Sequence, residues 1–256
     1  MNKIISPIKH IPNFITSLNL LSGSLSVFLS FEGFPILAAY LVFLAAIFDF
    51  LDGFLARALK AYSEMGKELD SLADLISFGL APAVIMFNIL KATFFISTDI
   101  SDLDPLPQTS TLLFLSVPLL IPVFSGLRLA KFNVDTRQTS SFLGLPTPAN
   151  AIFWASFPII MLKHPMFLNT FVGNYENIPY LISLGIILFS FLLVSELPMF
   201  ALKFKNFSVK NNLTQFSFII ISAILLIIVG FKSVPIIIIL YIVISLLLWI
   251  INKFKK

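Results

Sequence analysis

Residues 47–79 read IFDFLDGFLARALKAYSEMGKELDSLADLISFG, and this stretch decides what kind of molecule the chain builds. Asp49, Asp52, Gly53, Ala56 and Arg57 fall at offsets 0, 3, 4, 7 and 8, the spacing of one helix face. Gly66, Asp70 and Asp74 fall at 0, 4 and 8, again one face. The residues between Arg57 and Gly66 include Lys60, Ser63 and Glu64 without an apolar run, which predicts a polar turn. Two antiparallel helices then bring four carboxylates together beside that turn.

Everything around this stretch is apolar. Of 256 residues, 58% are hydrophobic and 12% charged, with a mean hydropathy of +0.98, against about 45–50% and about 25% in a soluble domain. A water-soluble fold of this length cannot hide so much apolar surface, so lipid is the expected solvent. Apolar windows predict eight spans in an all-α polytopic bundle, near 14–32, 34–56, 71–95, 110–130, 148–166, 178–201, 214–231 and 233–251. With the N-terminus inside, 14 of the 17 Lys and Arg residues lie on the inner side, leaving Lys91, Lys163 and Lys232 outside. Both termini are therefore expected in the cytoplasm, with the Asp cluster just inside the inner leaflet of the cytoplasmic (inner) membrane. Residues 1–12 read as a short interfacial segment. No repeat, linker or shift in composition divides the chain, so residues 1–256 read as a single membrane domain.

Composition also narrows the chemistry. A net charge of +4 with no basic run before Lys253, Lys255 and Lys256 argues against nucleic acid as a partner. The absence of cysteine removes disulfides and thiolate catalysis. A metal must therefore sit on oxygen or on His10 and His164, and neither histidine falls near the Asp cluster.

A carboxylate inside a bilayer costs at least about 2.5 kcal/mol, so four in one place imply a function. They repel one another unless cations sit among them, and an all-oxygen set suits Mg²⁺ or Mn²⁺. Two metals bridged by Asp49, Asp52, Asp70 and Asp74 form a clamp for phosphoryl oxygens. Gly53, Ala56 and Gly66 clear room for a bulky polar ligand, and Arg57 can pair with a phosphate. Two other readings compete: structural ion pairs of Asp49 with Lys60 and Asp52 with Arg57, and a cation transporter. The transporter calls for midplane carboxylates and an inverted repeat, and the sequence has neither.

The string D-x-x-D-G-x-x-A-R-x8-G-x-x-x-D-x-x-x-D, complete here from Asp49 to Asp74, resembles the signature of the CDP-alcohol phosphatidyltransferases. The resemblance implies a dimetal site with Asp49, Asp52 and Asp70 chiefly as ligands, and Asp74 as a further ligand and general base. It also implies a CDP group lying against Asp52, Gly53, Ala56, Arg57 and Gly66, and a homodimer.

Three further stretches resemble the branch of that family that uses CDP-diacylglycerol and L-serine. IPNFITSLNLLSG carries Pro12, Asn13, Thr16, Asn19 and Gly23, and DLISFGLAPA carries Ser77, Phe78, Gly79, Ala81 and Pro82. GLRLAKFNVDTRQTSSFLGLPTPANA (126–151) is similar to the branch's acceptor-side motif, departing at Lys131, Thr147 and Asn150. The reaction implied is attack of a serine hydroxyl on the phosphorus, giving phosphatidylserine and CMP; another acceptor, glycerol 3-phosphate or inositol phosphate, is the alternative. Residues 126–150 would then form the acceptor region, with Arg128 and Lys131 as candidate cations for the serine carboxylate and Asn133 and Arg137 nearby. Pro146 and Pro148 shape entry into the fifth span. Asn13, Thr16 and Asn19 form a polar stripe that either bonds neighbouring helices or contacts the nucleotide, with Asn13 and Thr16 the candidate CDP contacts. Glu196, read as buried by depth in the sixth span, either pairs with a basic residue of the acceptor loop or binds the serine ammonium.

Overall fold

The computed structural model describes residues 10–97, 109–135, 142–163, 177–200 and 212–254. Sequence expectations that fall on Lys3, Lys9, Arg137, His164 and the loop near 98–104 lie outside these residues.

Helix α1 (Ile11–Phe31) is inside out by the standards of a soluble protein. Thr16, Asn19, Ser22, Gly23, Ser26 and Ser30 are buried, while Phe14, Leu21, Phe28 and Phe31 face outward. Lipid tails are as apolar as leucine, so small and polar side chains, which pack closely and hydrogen-bond across helices, take the inner face. Helix α2 (Pro35–Ala58) returns along α1 on Ala38, Ala39, Val42 and Ala45, and the Ser26 hydroxyl donates to the Ala38 carbonyl at 2.8 Å.

The polar turn falls where the sequence places it. Lys60 takes a positive φ of 50°, and Ser63 caps helix α3 (Glu64–Asp74) by accepting from the Gly66 amide at 3.0 Å. The third span is one continuous helical run with a change of winding inside it: α3 passes into a π-helical turn, Leu75–Leu80, and then into α4 (Ala81–Ser97). This turn packs on α1. A Cβ on Gly23 would lie 2.6 Å from the Ser77 Cα, and the Ser77 hydroxyl donates to the Asn19 carbonyl at 3.0 Å. Gly23→Ala must push the two backbones apart and is expected to destabilise the protein by about 1–3 kcal/mol. Thermal unfolding in detergent checks this; an unchanged midpoint would mean that the contact yields freely.

The rest of the bundle comprises α5 (Thr109–Leu115), a 3₁₀ turn (Val117–Leu119), α6 (Leu120–Val134), α7 (Thr147–Lys163), α8 (Ile178–Val194), α9 (Leu213–Val229) and α10 (Val234–Phe254). Pro148 sits in the first turn of α7, where a missing N–H is harmless. Short strands β1 (Phe142–Leu143) and β2 (Pro198–Met199) pair antiparallel. One buried cluster, which includes Val42, Phe78, Met86, Trp154 and Ile186, joins α2, α4, α7 and α8. A second, of Leu145, Leu193, Met199, Phe218 and Tyr241, ties α9 and α10 to the β1–β2 side.

Helices overlap each of the eight windows read from the sequence. Among the described residues five stretches are long and apolar enough to cross a bilayer: Ile11–Phe31, Pro35–Ala58, Glu64–Thr93, Leu112–Val134 and the 42-residue Leu213–Phe254, which contains both α9 and α10. Helices α7 and α8 are 17 residues each. The chain is an integral membrane protein. The sixth window is corrected at its end: α8 stops at Val194, not near 201, because the chain turns extended at Ser195 and Pro198–Met199, as β2, pairs with β1.

Candidate active site

Asp49 from α2 and Asp70 and Asp74 from α3 each bring a carboxylate oxygen within 4.8 Å of the other two. Asp74 is nearly sealed from solvent, and the Asn19 amide donates to its Oδ1 at 3.2 Å. Asn19 is thus the member of the α1 stripe that orients a carboxylate. Asp52 stands one helical turn beyond Asp49 and outside this trio. It is buried beside the Thr16 hydroxyl, which itself donates to the Pro12 carbonyl at 3.0 Å.

A cavity of about 200 Å³ opens next to the trio. All seven residues expected from the sequence to meet CDP line it: Asn13, Thr16, Asp52, Gly53, Ala56, Arg57 and Gly66. Asp70 lines it too, so one carboxylate belongs to both the cavity and the trio. A Cβ on Gly66 would meet the Asn13 Oδ1 at 2.8 Å and the capping Ser63 Oγ at 2.9 Å, so a larger residue here would displace both side chains. Tyr62, Ser63 and Lys67 line the cavity as well, and none was expected from the sequence to meet the ligand. Their signal is the polar character of the turn and of the first turn of α3. Lys67 also ties α3 to α6: its Nζ donates to the Asn133 carbonyl at 3.3 Å, and Asn133 Nδ2 donates to the Ser71 Oγ at 3.0 Å.

Among the described residues no Lys or Arg forms an ion pair with any of the four aspartates, so the pairings Asp49–Lys60 and Asp52–Arg57 are absent. Asp52 Oδ2 and Asp70 Oδ1 are buried with no hydrogen-bond donor. Clustered carboxylates with orphaned oxygens and no ion-pair partner among the described residues fit a hard divalent cation bound through oxygen.

Arg128 of α6 does not line that cavity. It is buried, it is in Coulombic reach of Asp74, and its Nε has no acceptor. Lys131, one helical turn on, instead reaches Glu196 at 3.8 Å. Glu196 is 70% exposed rather than buried, because α8 ends before it. Asn150 is fully buried and accepts from the Trp154 indole at 3.0 Å, which places this departure from the family pattern in a helix-internal bond.

Residues 9–186, which carry all of these aspartates and Arg128, match the model of the CDP-alcohol phosphatidyltransferase family. The chain belongs to that family. The transferase is 30% identical over 250 residues to a Helicobacter pylori (strain J99) protein named CDP-diacylglycerol–serine O-phosphatidyltransferase, a match covering 96% of this chain and 93% of that one. A Bacillus subtilis protein of the same name is 30% identical over 188 residues, 73% of this chain and 88% of the relative. The archaetidylserine synthase of Methanothermobacter thermautotrophicus is 36% identical over 149 residues, 57% of each chain. The match to the Helicobacter protein runs nearly the whole chain.

Proposed function

We propose that this transferase moves the phosphatidyl group of CDP-diacylglycerol to L-serine, giving phosphatidylserine and CMP, at the cytoplasmic face of the cell membrane and as a homodimer. The observation that carries this is the juxtaposition of three elements: the Asp trio, the cavity lined by Arg57 and the small residues, and a buried cation, Arg128, in Coulombic reach of Asp74. Names of relatives that match most of the chain point to the same acceptor. The cytoplasmic orientation is supported by the basic residues of the inner loops.

The cytidine diphosphate lies in the cavity against Gly53, Ala56 and Gly66, where Arg57 holds phosphate oxygens and Asn13 and Thr16 flank the opening. The lipid tails stay in the bilayer. Arg128 binds the serine carboxylate and so presents the hydroxyl toward the trio. Asp74 accepts the hydroxyl proton as the serine Oγ–phosphorus bond forms and the bond from phosphorus to the CMP oxygen breaks, CMP leaving with that electron pair. When bound at Asp49, Asp52, Asp70 and Asp74, a pair of Mg²⁺ or Mn²⁺ ions supplies electrostatic stabilisation of the transferring phosphoryl oxygens. Lys131, paired with Glu196, is assigned to shaping the acceptor entrance.

An acceptor panel tests the substrate. Purified protein given labelled CDP-diacylglycerol with L-serine, glycerol 3-phosphate or inositol phosphate is expected to yield phosphatidylserine alone. A product formed only with glycerol 3-phosphate would overturn the acceptor assignment while leaving the transfer chemistry intact.

A further inference from the structure

Lys67 lies in the first turn of α3, where the helix dipole favours negative charge and works against a cation. Glu64 and Asp70 stand three residues to either side of it, at the spacing of a helix-surface ion pair. Among the described residues it pairs with neither. Its Nζ instead crosses to α6 and donates to the Asn133 carbonyl at 3.3 Å. That carbonyl belongs to the last turn of α6, where carbonyls lack partners within the helix and the dipole favours a cation. A closed ring of hydrogen bonds holds the arrangement. Asn133 Nδ2 donates to the Ser71 Oγ at 3.0 Å, and the same hydroxyl donates to the Lys67 carbonyl at 3.2 Å.

This ring meets the nucleotide cavity only through Lys67, since neither Ser71 nor Asn133 lines it. Arg57 and Lys67 are the two cationic residues among those that do. A diphosphate diester carries a negative charge on each of its phosphates, and Asp52 and Asp70 add negative charge to the walls. Arg57 alone therefore leaves one phosphate unmatched. An ammonium has three donors. The Asn133 carbonyl takes one, and the others are left for phosphate oxygens.

We propose that Lys67 binds the second phosphate of the nucleotide diphosphate and that Asn133 is its positioning residue, so that the end of α6 serves the donor rather than the acceptor. This rests on the CDP-diacylglycerol reading made above and adds a donor contact to it. It also reassigns Asn133, which its neighbours in sequence, Arg128 and Lys131, place on the acceptor side.

The experiment uses the full chain in detergent with Mg²⁺: CDP binding by titration calorimetry, and steady-state kinetics with CDP-diacylglycerol and serine varied separately. Lys67→Met keeps most of the side chain and removes its charge. CDP affinity is expected to fall about tenfold and the CDP-diacylglycerol KM to rise as much, the scale of one hydrogen bond to a charged group. The serine KM is expected to stay within about twofold of wild type. Asn133→Ala leaves the carbonyl in place and deletes the bond to Ser71. It is expected to raise the CDP-diacylglycerol KM about threefold, the scale of a neutral hydrogen bond, again without moving the serine KM. In a Lys67→Met background it is expected to add nothing, because Asn133 acts through Lys67. Ser71→Thr, which keeps a hydroxyl for Asn133, is expected to retain wild-type donor binding, and Ser71→Ala to match Asn133→Ala. Unchanged CDP affinity in Lys67→Met would overturn the phosphate contact. A raised serine KM in Asn133→Ala, or additive effects in the double variant, would overturn the positioning role. If the wild-type chain binds no CDP, the functional reading fails and the proposal with it, whereas an acceptor other than serine leaves the calorimetric test intact.

Discussion

Asp74→Asn is expected to lower CMP release about a thousandfold, the scale of a lost general base, while the protein remains at least as heat-stable as wild type. The two halves of this expectation come from different atoms. An asparagine keeps the shape of Asp74, and its carbonyl oxygen still accepts from the Asn19 amide, the bond that now measures 3.2 Å. What it loses is the ability to take a proton and one negative charge among three closely spaced carboxylates. Relief of like-charge repulsion works in favour of the fold. A drop in melting temperature that tracks the drop in turnover would mean that Asp74 is a structural residue. Turnover near wild type would remove it from the proton-transfer role.

Chelation is expected to have a comparable effect by a different route. Three carboxylate oxygens within 4.8 Å of one another repel by about 3 kcal/mol per pair at an effective dielectric of about 20. Among the described residues no basic side chain forms an ion pair with the trio, and Arg128 alone is in Coulombic reach of one member, Asp74. EDTA is therefore expected to abolish turnover, and Mg²⁺ or Mn²⁺ to restore it. The same ions are expected to raise the melting temperature, since a ligand that binds only the folded state stabilises it. Asp70→Asn removes a carboxylate shared by trio and cavity, and is expected to lose both the activity and the metal-dependent thermal shift. Activity that survives exhaustive chelation would exclude a metal role for the cluster.

Most of the architecture was legible because it depends on period and composition. The offsets of Asp49 to Arg57 and Gly66 to Asp74 gave two facing helices, and Lys60, Ser63 and Glu64 gave the turn between them. Within that frame the detail was only partly legible. Residues three apart on a helix diverge by about 60°, so Asp49 turns toward Asp70 and Asp74 while Asp52 turns toward Thr16 and the cavity. The stripe of Asn13, Thr16 and Asn19 left bonding between helices and contact with ligand open. In the structure Asn19 does the first, and Asn13 lines the cavity. The end of α8 was misjudged because LLVSELPMF is apolar enough to extend a window, and hydropathy carries no information about strand pairing.

The π-helical turn at Leu75–Leu80 has a consequence for how this molecule can vary. Each residue of an ordinary helix advances the chain by about 100°, so a locally wider winding re-phases everything downstream relative to everything upstream. The aspartates of α3 and the buried face of α4 are thereby clocked separately, although they share one unbroken rod. A change that restores ordinary winding between Leu75 and Leu80 would therefore rotate the aspartates against the buried face of α4.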